Sequence, residues 1–275
     1  MANQENAAAK VETVFAAIAR GDASDTDTLL ALGDAIVPAV SGYLSSADEN
    51  VRTQAVALLA ALGTGSAAKA LLPTLADSSD AIRERAARGI LAEVMKTGKL
   101  AGLDSAVAKG LAAGEPGAAA LLLGAFSEQS RGPLGQAVGS TRLVKLADGS
   151  RPVTAGLAAQ VALSSIGDSS AGTALEKTIA GDDIDELIFL LDVLPLIDKP
   201  TLIHSLAAQT LDDERHVAGG VPAGAEPARR VADRAVDALV ARLNLKVSFD
   251  PNEAGRYTAA QIAEVRKAVS ASIPH

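Results

Sequence analysis

Residues 35–63 read AIVPAVSGYLSSADENVRTQAVALLAALG, and residues 69–94 read KALLPTLADSSDAIRERAARGILAEV. The second string is the first written again: Leu44, Arg52, Ala55 and Leu59 recur 31 residues later as Leu75, Arg83, Ala86 and Ile90. Within the first copy, Val51, Ala55, Leu58, Leu59 and Leu62 fall at the spacing that places apolar side chains on one face of a helix. Gly63 then supplies a residue able to take the left-handed conformation that closes such a helix. A fixed period of about 20 to 50 residues marks a repeat array, in which each unit buries its apolar face only against its neighbours.

Composition agrees with such an array. Of the 275 residues, 48% are hydrophobic but only 2% aromatic, so the interior must be built from Ala, Leu, Val and Ile, which permit close helix packing. The formal charge of −8 argues against a nucleic-acid surface, which needs clustered Lys and Arg. A basic protein partner is easier to accommodate. Without cysteine there are neither disulfides nor thiolate metal sites. The polar start, MANQENAAAKVETVF, lacks the charged and apolar regions of a signal peptide, and the longest apolar stretches fall short of the roughly 20 residues that span a bilayer. A cytoplasmic protein with no membrane partner is expected.

The repeated pattern is an apolar helix with an internal proline (Val37-Pro38, Leu72-Pro73), an Asp-rich turn, then Val-Arg or Ile-Arg with Ala and Leu at helical spacing. It resembles the HEAT repeat. That resemblance implies an all-α fold, a right-handed α-α superhelix of antiparallel helix pairs whose second helices line a concave face. It also implies a ladder in which the turn Asp of one repeat meets the Arg of its neighbour. Here the Arg of the pattern is present only in the early units, since Ala119, Thr154 and Leu187 stand where it would recur.

About seven hairpins are expected over residues 1–243. The first spans 6–33, with Asp25 or Asp27 as a cap for its second helix, and the 35–63 hairpin follows. Next come 67–76 with 80–95, where Pro73 should loosen its turn, and 103–112 with 116–126, where Pro116 suits a first helical turn. Then come 132–144 with 151–166, the first of these made uncertain by Gly132, Gly135 and Gly139, and 171–180 with 184–197. The last pairs 201–210 with 228–243 and is interrupted by an insertion at 212–227, since Gly219, Gly220, Pro222, Gly224 and Pro227 continue neither helix. Residues 244–275 should cap the stack: an extended 245–249, a turn at 250–252, and a helix over 259–272 opened by a Thr258–Gln261 capping box.

Two candidate sites emerge. The acidic turns include Asp48 and Glu49, Asp77 and Asp80, Asp148, Asp182 and Asp183, and Asp212, Asp213 and Glu214. They either cap helices, contributing on the order of 0.5 to 2 kcal/mol each, or recruit a basic partner where no arginine compensates them, around 182–186 (with Asp185 and Glu186) and 212–214. Arg215 and His216 adjoin the second cluster and belong to the same candidate surface. The second candidate is the string IDELIFLLDVLPLI from residue 184, apolar nearly all round. Either it is a buried central helix, or Ile188, Phe189 and Asp192 face the concavity as an apolar patch with one carboxylate.

Catalytic groups are scarce. His204 lies on an apolar helix, His275 is the last residue, and His216 follows acids that rarely have preset metal geometry when consecutive in a loop. No catalytic residue, metal or cofactor is expected. The paired His-Glu motifs of the HEAT-like deoxyhypusine hydroxylases are missing, as is the basic, aromatic groove of the HEAT-like alkylpurine DNA glycosylases. The expectation is a non-enzymatic scaffold, adaptor or inhibitor that holds a protein on its concave face or acidic edge. The alternative is a HEAT-like lyase or ligand-handling protein of the phycobilin-lyase type.

Overall fold

The computed structural model describes residues 2–22, 26–147, 149–181, 183–217, 229–251 and 255–273. The chain is all-α and forms two compact units, Met1–Ala137 and Val138–His275.

The first unit contains α1 (Ala2–Arg20), α2 (Asp27–Leu30), α3 (Val37–Ser41), α4 (Glu49–Leu62), α5 (Gly65–Leu71), α6 (Asp80–Thr97), α7 (Leu103–Ala112), α8 (Ala118–Leu123) and α9 (Arg131–Ala137). The helices form two rows. In one, α3 packs on α5, and the 3-10 turn Leu72–Ala76 packs on α7; in the other, α4 packs on α6 and α6 on α8. Each helix thus hides its apolar stripe against its counterpart in the next hairpin, through side chains such as Leu59, Leu71, Ile82, Ile90 and Leu122. Phe15 of α1 stacks on Tyr43, ring centroids 4.2 Å apart.

The 31-residue register is visible atom by atom. Arg52 Nη1 donates to the Ser46 carbonyl at 2.9 Å, and Arg83 Nη1 donates to the Asp77 carbonyl at 2.6 Å, the same bond one period later. Arg52 also clamps Asp77 of the following turn through Nε and Nη2, at 2.9 and 3.3 Å, which makes one rung of the expected ladder. Burial alone would raise the Asp77 carboxyl, but Arg52 and the Ser79 amide hold it below the usual carboxylate range. Arg83 turns instead to Asp80, in its own helix.

Termination follows local chemistry. Asp48 caps α4 by accepting from Asn50 N at 2.8 Å, and Gly63 closes it at φ 59°. At Pro73 the α-helix gives way to the 3-10 turn, because proline brings no N–H for the α-helical bond. Asp27 lies inside α2 rather than capping it, Thr26 at the N-cap makes no side-chain bond, and Asp25 falls outside the described residues. Pro116 likewise precedes its helix, which begins at Ala118 after Gly117. With no side chain at that N-cap, Glu84 reaches over from α6 and accepts from Ala119 N at 3.0 Å. A Cβ on Gly117 would lie 2.1 Å from Glu84 Oε2, so any other residue here requires the Glu84 carboxylate to shift.

The second unit contains a short hairpin of β1 (Leu143–Val144) and β2 (Val153–Thr154), then α10 (Ala155–Ser165), α11 (Ser169–Ile179), α12 (Ile184–Asp192), α13 (Pro200–Thr210), α14 (Val231–Leu243) and α15 (Ala259–Ser272). The helix expected over 132–144 therefore ends as α9 at Ala137, and its remainder enters the antiparallel hairpin, Leu143 opposite Thr154 and Val144 opposite Val153. Glycines at 132, 135 and 139 weaken the helix, while Val144 and Val153 are β-branched and buried. Helix α12 stops at Asp192 and a 3-10 turn, Leu194–Leu196, completes the expected 184–197 element.

Helices α11 and α13 pack together, as do α12 and α14, and α15 lies across α13 and α14. The start of α15 is the expected capping box: Gln261 N donates to Thr258 Oγ1 and Thr258 N to Gln261 Oε1. Residues 245–249 form no strand; Phe249 instead packs on Tyr257 at 5.3 Å. Among the described residues, no helix is long and apolar enough to cross a membrane.

Candidate functional site

The acidic residues expected to recruit a partner, at 182–186 and 212–214, lie in the second unit; Asp182 is outside the described residues. Asp183 is the N-cap of α12, accepting from Asp185 N at 2.8 Å and Glu186 N at 3.1 Å. Asp185 is paired with Arg151 and Asp192 with Arg234 of α14. Burial nevertheless raises the Asp192 carboxyl, outweighing the attraction of Arg234. Glu186 is half-buried, and its carboxyl is raised first by burial and then by the neighbouring charge of Asp183. Among the described residues no Lys or Arg forms an ion pair with Asp183 or Glu186.

Ile188 and Phe189 are 5% and 4% exposed, so they belong to the core and present no open patch. A helix that is apolar all round satisfies the packing of several neighbours at once, here α11, α13 and α14.

The 212–214 cluster is compensated, contrary to the expectation of unpaired charge. Asp212 pairs with Arg266 of α15. Asp213 accepts from Arg215 N, Nε and Nη2 at 2.9, 3.0 and 2.7 Å; burial alone would raise this carboxyl, but these bonds hold it below the usual range. Glu214 accepts both of its bonds from Arg230 Nη1, at 2.8 and 2.9 Å. His216 is exposed and its backbone bridges to Arg230, with Val217 N donating to Arg229 O and Val231 N to Arg215 O. Among the described residues, no three His, Asp or Glu side chains converge as metal ligands. The stems on either side of the insertion expected at 212–227 are thus tied together, while residues 218–228 lie outside the described ones.

Sequence reasoning missed the groups that do this tying. Asp233, fully buried, accepts from Arg230 N at 2.8 Å, Arg230 Nη2 at 2.8 Å and Tyr257 N at 2.9 Å, while Arg230 Nη2 also donates to the Tyr257 carbonyl at 2.6 Å. Burial would raise the Asp233 carboxyl, yet these donors hold it below the usual range, and Arg230 is raised in turn by Asp233 and Glu214. The Tyr257 hydroxyl lies 2.6 Å from both Asp237 Oδ1 and the Pro251 carbonyl, and burial followed by Asp237 raises the phenol. The one available signal was the three-residue spacing of Arg230 and Asp233 at a helix start.

A cleft of about 380 Å³ opens between α13 and α15. Ala207, Leu211 and Val269 are its buried apolar lining, with the Asp212–Arg266 pair, Ser270 and His204 around them. His204 Nε2 lies 3.2 Å from the Ile273 carbonyl, fastening the end of α15 to α13.

The site therefore has two parts: an acidic step at the start of α12, where Arg151 pairs with Asp185 but no Lys or Arg of the described residues pairs with Asp183 or Glu186, and a neutralised, cross-linked edge at 212–216 beside a small cleft. No protein-family model matches the chain, and no characterised protein or solved structure matches it significantly, so the reading of this site rests on its own geometry.

Proposed function

We propose that the chain is a non-enzymatic protein-interaction scaffold, a HEAT-like right-handed solenoid capped by residues 244–275, which holds a basic segment of a partner protein at the start of α12. Two rows of stacked helices in the first unit, with one arginine-to-carbonyl bond repeated 31 residues on, support the solenoid reading. The observation that carries the binding reading is Glu186. Its carboxyl is held in an unfavourable setting by burial and by Asp183, with no basic side chain of the described residues to relieve it. A Lys or Arg from a partner relieves that strain, which gives differential affinity without any motion of the scaffold. The 212–214 cluster contributes less, because its charges are already matched.

The variant Asp183→Asn/Glu186→Gln removes the charge and keeps the helix cap, since Asn caps about as well as Asp. Affinity capture from the source cell's lysate should retain a basic polypeptide on the wild type and about tenfold less on this variant at low salt, with the difference shrinking as the Debye length falls. Equal retention at low salt would sink the reading. A coloured or mass-shifted small molecule in place of a polypeptide would favour the lyase-type alternative.

Glu186 also makes a prediction for the chain alone. Its folded-state pKa lies above the ordinary glutamate value of 4.5. The stability it contributes is therefore present at pH below the unfolded pKa and is lost as pH rises through the folded one. Glu186→Gln should be at least as stable as wild type at pH 7 and should show a flatter decline above about pH 4.5. Urea unfolding midpoints between pH 4 and 8 check this, and parallel curves for the two proteins would contradict it.

A further inference from the structure

We infer that the cleft between α13 and α15 binds a free aliphatic α-amino acid as its zwitterion. This rests on different residues from the α12 reading and stands or falls separately. The cleft, about 380 Å³, is at the small end of ligand sites and is floored by the buried Ala207, Leu211 and Val269. The small side chains of Ala207 and Ala208 on α13 leave the space; the aliphatic floor suits a branched hydrocarbon side chain and offers no ring to stack on.

The polar side decides the head group. Asp212 and Arg266 are joined by a single bond, from Arg266 Nη2 to Asp212 Oδ1. Among the described residues, Arg266 Nε and Nη1 have no protein acceptor and Asp212 Oδ2 has no protein donor. Both side chains are well exposed, at 46% and 76%, so neither is sealed off by the fold. A carboxylate lies naturally along the unused edge of a guanidinium, and an ammonium beside the unused carboxylate oxygen. Ser270, whose hydroxyl donates to the Arg266 carbonyl, adds an acceptor for the ammonium.

Net charge excludes the simpler ligands. The pair is neutral as a unit, so a lone anion meets Asp212 as well as Arg266 in a chain of charge −8, and a lone cation meets Arg266. A zwitterion lays its own dipole antiparallel to the pair and satisfies both ends without placing unmatched charge in the cleft.

Isothermal titration calorimetry of the full chain with L-leucine tests this. Saturable binding is expected with a dissociation constant on the order of 1 mM, as befits a ligand of few atoms. Two analogues separate the contacts: 4-methylpentanoate lacks the ammonium and 3-methylbutylamine lacks the carboxylate, and each should bind at least about tenfold more weakly. Arg266→Gln should weaken leucine by a similar factor. Ala208→Trp, at an exposed position, should fill the cleft and abolish binding while circular dichroism stays that of the wild type. No saturable heat up to about 50 mM leucine, equal binding of either analogue, or leucine binding unchanged in Ala208→Trp would each overturn the inference.

Discussion

Asp233→Ala should cost the second unit about 3–5 kcal/mol, the range for removing one member of a buried ion pair. Asp233 is 0% exposed and is the common acceptor for the start of α14 and for the chain leading into α15. Without it the Arg230 guanidinium keeps Glu214 and the Tyr257 carbonyl but loses two bonds to the Asp233 side chain, and Tyr257 N loses its acceptor inside the protein. The loss should appear as a lower urea midpoint and as faster amide exchange at Tyr257 and along residues 259–272, since that amide bond ties the segment to α14. Because the folded-state carboxyl sits below the ordinary aspartate value of 3.8, its contribution is complete above that pH. It disappears as pH falls through the lower, folded-state value, so wild type and variant should converge in acid. A midpoint within about 0.5 kcal/mol of wild type at pH 7 would show that this network is ornamental.

Gly110→Ala gives an equally direct result because two effects oppose each other there. In an isolated helix the change to Ala stabilises by about 0.5–1 kcal/mol. Here a Cβ on Gly110 would stand 2.9 Å from both the Cβ and the carbonyl oxygen of Leu75, where α7 rides on the 3-10 turn of the preceding hairpin. A backbone carbonyl cannot step aside as a side chain does, so the turn that carries Asp77 and its rung to Arg52 must shift. Overpacking of this kind costs about 1–3 kcal/mol, so the net change should be destabilising by up to about 2 kcal/mol, and more for Gly110→Val. Gly135, in α9, has nothing within 4 Å of its would-be Cβ and serves as the control. Gly135→Ala should stabilise by the propensity gain alone. If the two alanine variants moved the urea midpoint in the same direction by the same amount, the close approach of α7 to residue 75 would be refuted.

The pairing of charges also explains why the candidate site narrowed. Read along the chain, Asp212, Asp213 and Glu214 are three acids followed by one base. In the fold, α15 brings Arg266 to Asp212, and the far stem of the insertion brings Arg230 to Glu214. Asp183 and Glu186 meet no such base, and they were legible because a capping carboxylate and a residue three positions on are a local matter. Ile188 and Phe189 were ambiguous for the opposite reason: a helix apolar on every side carries no periodic signal to say which neighbour covers which face.

What the amino-acid order determined by itself was everything set by bonds spanning a few residues or one period. It specified the 31-residue hairpin, the left-handed Gly63, the Thr258–Gln261 box and the all-α class, because each depends on backbone groups within a turn or on an apolar stripe repeated in register. Only the tertiary structure decided where α8 finds its cap, that the 132–144 segment ends in a β-hairpin, which arginine neutralises which acid, and that α13 and α15 leave a cleft between them. Those outcomes join groups well beyond one helical turn apart in the chain, and a charge or a small residue carries no mark of its distant partner until packing brings the two within reach.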